Sequence, residues 1–237
     1  MKYLVSDCTP MAGDLVLSRV TRIGHHRFLQ LPNRARRRLF VGDLIVVAYA
    51  NRYASNQFEA VVSEDLGECA LIAGGGCAGR VLSQHERIRR GATRIKPLGL
   101  LSSTPCGTPL NLANFAMPSY KPVPGDRPVV AVVGTAMDSG KTTTAAYLSR
   151  GIYLGGMSAG YAKVTGTGAC GDPGLVADAG AASVLDFTDA GYASTYKLTS
   201  REKESVLSDR VAQTQMRNAD AIVLDIDDGV VQQGSAS

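Results

Sequence analysis

The residues of this 237-residue chain that are best placed to do chemistry stand together in Gly134-Thr135-Ala136-Met137-Asp138-Ser139-Gly140-Lys141-Thr142-Thr143. The apolar run Val129–Val133 precedes them and reads as a buried strand, and a helix is expected from Lys141 to Leu154. Strand, loop and helix in that order make a phosphate-binding loop, or P-loop. Backbone N–H groups at a helix N-terminus point at an anion, and the helix dipole favours negative charge there. Gly140 lets the backbone come close to a phosphate, Lys141 brings a mobile positive charge to the outer phosphates, and the Thr142 hydroxyl is placed to hold Mg²⁺. Five residues separate Gly134 from Gly140, one more than the usual pattern, so Thr135 stands in the first-glycine position. A chance Gly-Lys-Thr in an ordinary connection is the alternative, and the order of elements argues against it.

A magnesium site also needs a carboxylate. Ala221-Ile222-Val223-Leu224-Asp225 is four apolar residues followed by an acid, the pattern of a strand that delivers Asp225 to the metal. Asp227 shares its face by alternation, Asp228 follows, and Asp172 and Asp138 are further candidates. Lys163 ends a second expected strand, Ser158–Val164, where it is available to a γ-phosphate or an anionic substrate; an ion pair with Asp172 is the alternative. The stretch Thr165–Gly174 is too glycine-rich for regular structure and is expected as a loop at a strand's C-terminal end, where parallel sheets bind ligands. It covers the phosphates, receives a second substrate, or is a plain crossover.

Gly134–Thr142 resembles the P-loop of the dethiobiotin synthetases, which also begins Gly-Thr, has the longer spacing and carries an acid where Asp138 stands. Gly160-Tyr161-Ala162-Lys163-Val164-Thr165-Gly166 is similar to the Lys-Pro-Val-x-Ser/Thr-Gly segment of the same proteins, with Val164 in place of proline. Ala136 replaces an aspartate of that family, and it also falls where ParA/MinD ATPases carry a second lysine, which sets that subgroup aside. The wider class includes the cobyrinate amidases and the molybdopterin-guanine dinucleotide accessory protein, and the likeness covers residues 128–229. It implies an α/β P-loop domain with a mostly parallel sheet, a nucleotide held by Gly134, Thr135, Asp138, Ser139, Gly140, Lys141, Thr142 and Thr143, and Mg²⁺ on Thr142 with Asp225 or Asp172. It also implies ATP (GTP is the alternative) spent on activating a small anionic substrate, with Lys141 and Lys163 in catalytic roles. Domains of this class continue beyond the point reached at Ser237, so a minimal or truncated domain is expected, or one completed by a homo-oligomer or partner chain.

The rest of the chain must position these groups. Residues 1–125 hold 16 Lys and Arg against 8 Asp and Glu, whereas residues 126–237 hold 9 against 13. The change of sign coincides with Lys121–Pro128, which carries three prolines and reads as a linker. The expected domains are therefore 1–120, a linker at 121–128, and 129–237. Between Asp14 and Leu112 short strands are expected at 14–20, 28–31, 39–41, 44–50, 58–62, 69–73 and 94–101, punctuated by Gly, Asn and Pro, which predicts a small mainly-β barrel-like or sandwich domain.

Within that half, Gly74-Gly75-Gly76-Cys77-Ala78-Gly79 matches Gly-x-Gly-x-x-Gly, and Val81–Arg90 has helical character. No acid lies between Glu86 and Asp126 to take a ribose, so a tight glycine turn is favoured over a cofactor loop. Arg34, Arg36, Arg37 and Arg38, and then Arg87, Arg89, Arg90, Arg94 and Lys96, form basic runs that would suit nucleic acid or simply a solvated face. Aromatic residues make up 6% of the chain, which leaves few stacking platforms and disfavours nucleic acid. His25-His26 is expected as a surface pair. Five scattered cysteines (Cys8, Cys69, Cys77, Cys106 and Cys170) read as reduced structural thiols.

Hydrophobic content of 45% and a mean hydropathy of +0.01 fit a globular protein with no membrane association. Met1–Asp7 lacks a signal-peptide core, so a cytoplasmic location is expected. The expectation that joins these features is a Mg²⁺-dependent nucleotide-using enzyme. Its alternative is a nucleotide-gated binding or assembly protein whose basic N-terminal domain holds a nucleic acid or protein partner.

Overall fold

The computed structural model describes residues 3–105, 107–121, 127–217 and 219–226. Asp227, Asp228, Cys106, the linker residues 122–126 and the side chain of Met216 lie outside them. The chain is a mixed α/β protein made of two compact units, and the division is not sequential. One unit takes in Met1–Ala116, Thr167–Ala169 and Gly191–Tyr196; the other takes in Met117–Gly166, Cys170–Ala190 and Lys197–Ser237.

The first unit contains strands β1 (Tyr3–Val5), β2 (Leu15–Arg22), β3 (Phe28–Gln30), β4 (Arg36–Arg38), β5 (Leu44–Tyr49), β6 (Arg52–Tyr53), β7 (Phe58–Val61), β8 (Cys69–Ala73), β9 (Cys77–Gln84) and β10 (Thr93–Ser102). Strand β10 pairs with β2, β2 with β5, β5 with β9, β9 with β8, and β8 again with β10, so the pairings run in a closed circuit. Only β5–β9 is parallel in that circuit. Strand β10 serves three neighbours along its length, bending at register shifts between Arg94 and Ile95 and between Pro97 and Gly99. Val16, Val20, Val47, Leu71, Ile95 and Leu100 alternate inward and form the core of this circuit.

Three expectations are corrected in this unit. Val81–Arg90 is not a helix: Cys77–Gln84 is a strand, because ladders to β5, β7 and β8 outweigh local preference. Strand β4 is Arg36–Arg38 rather than Leu39–Val41. Phe40 and Val41 instead enter a turn closed by Phe40 N donating to Asp43 Oδ2 at 2.9 Å, with Gly42 at φ +96°. His26 is also not a surface residue; its Nε2 lies 3.0 Å from Ile72 O, next to the buried Arg52. Gly74–Gly76 forms the turn between β8 and β9.

The two C-terminal excursions complete this unit. Ala193 is buried in the cluster of Ala48, Phe58, Ala73 and Cys77, and its carbonyl accepts from Gly168 N at 2.9 Å. Tyr196 donates its hydroxyl to Glu59 Oε1 at 3.1 Å. A Cβ at Gly75 would come within 1.8 Å of Gly168 O, so only glycine fits there.

The second unit is a four-stranded parallel sheet in the order β11 (Val129–Val132), β14 (Ala221–Asp225), β12 (Ala159–Lys163), β13 (Ser183–Asp186). Its helices are α1 (Lys141–Leu154), α2 (Gly171–Asp178) and α3 (Ser200–Met216). Ala145, Ala146 and Val176 of α1 and α2 pack with Val132, Tyr161 and Val223 on one face. Leu207 and Val211 of α3 cover Ala162, Ile222 and Leu224 on the other. Strands buried on both faces read as continuous apolar runs, as β14 does.

Thr199 caps α3 in a capping box with Glu202, and Asp209 of α3 accepts from Ser119 Oγ at 3.0 Å and Tyr120 N at 2.9 Å. Two expectations change here. Strand β11 is not buried: it pairs only with β14 among the described residues, and Val129 and Val130 are exposed. Gly171–Gly174 is not loop but the first turn of α2. Pro173 needs no N–H partner there, and Asp172 suits the positive end of the helix dipole. No described helix is long and apolar enough to cross a membrane.

Candidate functional site

The loop 134–140 leaves the C-terminal end of β11 and enters α1 at Lys141. The turn is made without a glycine at Thr135. Asp138 takes φ +58° and Gly140 φ +86°, both left-handed, a conformation that Asp tolerates better than most residues and Gly adopts freely. Gly140 is the N-cap, and no side chain caps the helix. Gly134 marks a close approach, since a Cβ there would sit 2.3 Å from Ser139 Oγ and 2.9 Å from Lys141 Cγ. The loop wraps its own lysine: Lys141 is 5% exposed, and its Nζ donates to Ala136 O at 2.7 Å and lies 3.5 Å from Ser139 Oγ. Thr135, Asp138, Ser139 and Thr143 are exposed, and Thr142 is half-buried.

Register sets the next groups in a row. Asp225 is opposite Val132 on β11 and Lys163 on β12, and Lys163 is in turn opposite Asp186 on β13. Registered partners share a face, so Asp225, Lys163 and Asp186 cross the C-terminal edge of three adjacent strands. That edge is where open parallel sheets accept ligands.

Asp225 is fully buried. Its Oδ2 accepts from Thr142 Oγ1 at 2.8 Å and from Tyr161 OH at 2.9 Å, with Lys163 Nζ 3.7 Å away. Among the described residues its Oδ1 has no hydrogen-bond partner. An orphaned buried carboxylate oxygen costs about 1–3 kcal/mol, more when charged. Asp172, the other metal candidate, does not join this pair: it meets Lys163 Nζ at 2.6 Å while remaining about half exposed. The geometry thus brings Thr142 to Asp225 and Lys163 to Asp172.

Among the described residues no three His, Cys, Asp or Glu side chains gather as a metal cage. One hydroxyl and one carboxylate with a spare oxygen suit instead a hard cation that keeps water and takes phosphate oxygens, as Mg²⁺ does.

Two residues escaped the sequence reading. Tyr161 holds Asp225, and strand alternation from Lys163 already put the two on one face. Asp186 ends Val184-Leu185-Asp186 as Asp225 ends Val223-Leu224-Asp225, the same apolar-apolar-acid signal. Asp186 Oδ1 accepts from Thr188 N at 2.7 Å and from Thr188 Oγ1, and burial, helped by the charge of Asp189, pushes its carboxyl above the usual range. The thiols of Cys69 and Cys77, both free, are pushed up to about 11 by burial and are inert at neutral pH. A scan of the chain against protein-family models gives no match, and no curated protein matches it.

Proposed function

We propose that the second unit is a P-loop nucleotide-binding domain and that the chain is a Mg²⁺-dependent enzyme, using ATP or alternatively GTP to activate a small anionic substrate. The contact that carries this reading is Thr142 Oγ1 to Asp225 Oδ2 at 2.8 Å, with the other carboxylate oxygen unused. A helix-starting hydroxyl and a strand-ending carboxylate meet beside a buried lysine at the C-terminal edge of a parallel sheet. We also read the closed strand circuit of the first unit as a small barrel.

In this reading the amides at the start of α1, with its uncapped N-terminus, receive phosphate oxygens. Lys141 offers positive charge to the transferred group. Thr142 and Asp225 would hold Mg²⁺, which when bound neutralises phosphate oxygens and keeps attacking and leaving groups in line. Tyr161 fixes the carboxylate by its hydroxyl at 2.9 Å. Lys163, paired with the half-exposed Asp172, is the cation next along the edge and faces the second substrate. Chemistry of this kind asks for positioning and charge rather than a protein nucleophile.

The test is calorimetric titration with ATP and with GTP, each with Mg²⁺ and with a chelator, for the native chain and Lys141→Ala. Saturable, Mg²⁺-dependent binding that the substitution removes is the expected result. Absence of binding to both nucleotides overturns the proposal.

A further inference from the structure

The outer face of the β10–β2 ladder carries an arrangement that folding alone disfavours. Lys96 is directly opposite Arg19, and Arg94 is directly opposite Arg22. All four side chains are exposed. Like charges directly opposite on adjacent strands repel and destabilise the pair. Among the described residues none of the four pairs with a carboxylate. Glu68, the acid bound on this stretch of β2, accepts from Thr21 Oγ1 at 2.9 Å instead.

The face extends at one end through local bonds. A Cβ on Gly91, just after Arg89 and Arg90, would sit 3.4 Å from Arg22 Nη2, so that basic turn lies against Arg22. At Val20, between Arg19 and Thr21, the backbone bonds to the 40–43 turn: Val20 N donates to Asp43 O at 2.9 Å, and Gly42 N donates to Val20 O at 2.8 Å. That turn presents Phe40 at 62% exposure. The hairpin leading into it carries the exposed Arg36 and Arg37, and Arg38 stacks over Phe28 at 5.1 Å from the ring centroid. Phe28 and Phe40 are thus two exposed aromatics beside the cations.

We propose that this face binds single-stranded nucleic acid. A row of closely spaced, unpaired cations is complementary to a chain of phosphates, whose binding releases counterions. An exposed phenylalanine beside the row offers a base a surface to stack on, which a peptide carboxylate would not use. A polyanion lying along both strands relieves the cross-strand repulsion. This binding is independent of the nucleotide site.

The experiment is fluorescence anisotropy of the full chain with a fluorescein-labelled oligouridylate of about 20 nucleotides, at about 50 and 200 mM salt. If the four ladder cations each neutralise one phosphate, affinity falls about 50-fold between the two salts. Arg19→Ala with Lys96→Ala leaves two of the four and cuts that fall to about 7-fold. The double substitution removes a repelling pair, so its melting temperature does not drop, which separates lost binding from lost folding. Phe40→Ala weakens oligouridylate binding at least about 5-fold while leaving the salt dependence unchanged. No anisotropy change up to about 100 µM protein overturns the proposal. So does binding that the double substitution leaves intact, or equal competition by polyaspartate or by a duplex of the same length.

Discussion

Thr142→Val isolates the contact on which the nucleotide reading rests. Valine keeps the shape of Thr142 and removes only the hydroxyl, which donates to Asp225 Oδ2 at 2.8 Å. The carboxylate is not stranded, because Tyr161 OH still reaches the same oxygen at 2.9 Å. The loss is therefore one hydrogen bond to a charged acceptor, about 1.5–3 kcal/mol. Thr142 is half-buried and water competes for the bond, which places the loss near the lower figure and the fall in melting temperature near about 5 °C for a unit of this size.

The effect on ligand binding is of a different kind. The amides at the start of α1 and the Lys141 ammonium are untouched, so nucleotide affinity in chelator is retained. The gain in affinity that Mg²⁺ brings falls by at least about 10–100-fold, as for loss of a group that holds a metal. Thr142→Ser restores both the melting temperature and the Mg²⁺ dependence. Calorimetry with and without Mg²⁺, with thermal unfolding of the same samples, reads the two effects apart. A valine variant that melts lower yet keeps its full Mg²⁺-dependent gain refutes the reasoning, since the hydroxyl would then only tie α1 to β14.

Burial and the Arg52 guanidinium push the His26 imidazole down to about 4. The unfolded chain takes up a proton below about pH 6.5 that the folded chain refuses, so stability is full above that pH and is lost as pH falls toward 4. Urea unfolding at pH 7 and 5 should show a loss of about 2 kcal/mol from this residue, absent in His26→Gln. Asp186 has the opposite sign: its carboxyl is raised, so its contribution is present below the ordinary carboxylate range and lost as pH rises. Asp186→Asn keeps an acceptor for Thr188 and should melt higher than the native chain at pH 7; a lower melting temperature refutes the assignment. Thr199→Ala removes the acceptor for Glu202 N, and thermal unfolding should show a cost of about 1 kcal/mol that Thr199→Ser does not incur.

Where local chemistry decides structure, the chain is legible. Helix α1 runs from Lys141 to Leu154 as its spacing predicts, ended by Gly155, and α3 starts at the Thr-x-x-Glu box. Where partners decide, it is not. Val81–Gln84 has no local reason to be strand and becomes one by pairing with β7. The run Val129–Val132 resembles a buried strand in composition, yet its exposure depends on how many neighbours the sheet supplies. Nor does any local pattern foretell that residues 167–169 and 191–196 belong with the first unit. In the candidate site, the loop and Asp225 were marked by residue type and order. Tyr161 and Asp186 become visible only when register sets β12 and β13 beside β14.

The two units share one physical feature: each keeps a charge arrangement that the fold itself does not relieve. In the second unit it is the buried Asp225 Oδ1, an acceptor without a donor among the described residues. In the first it is Lys96 opposite Arg19 and Arg94 opposite Arg22. The cross-strand cost would vanish with alanine for the cations, so stability does not account for those residues. A cation at Asp225 and a polyanion along β10–β2 would each offset the cost on binding. The gain then appears as stabilisation of the liganded chain, about 2.7 kcal/mol at ligand one hundredfold above its dissociation constant. Because the two features lie in different units, each ligand should raise the melting of its own unit. Asp225→Asn should remove the Mg²⁺-dependent part of the response to nucleotide and leave the response to oligouridylate intact, and Arg19→Ala with Lys96→Ala should weaken the response to oligouridylate and leave the response to Mg²⁺-nucleotide intact. A single substitution that removes both responses would mean that one ligand-binding function, not two, underlies these charges.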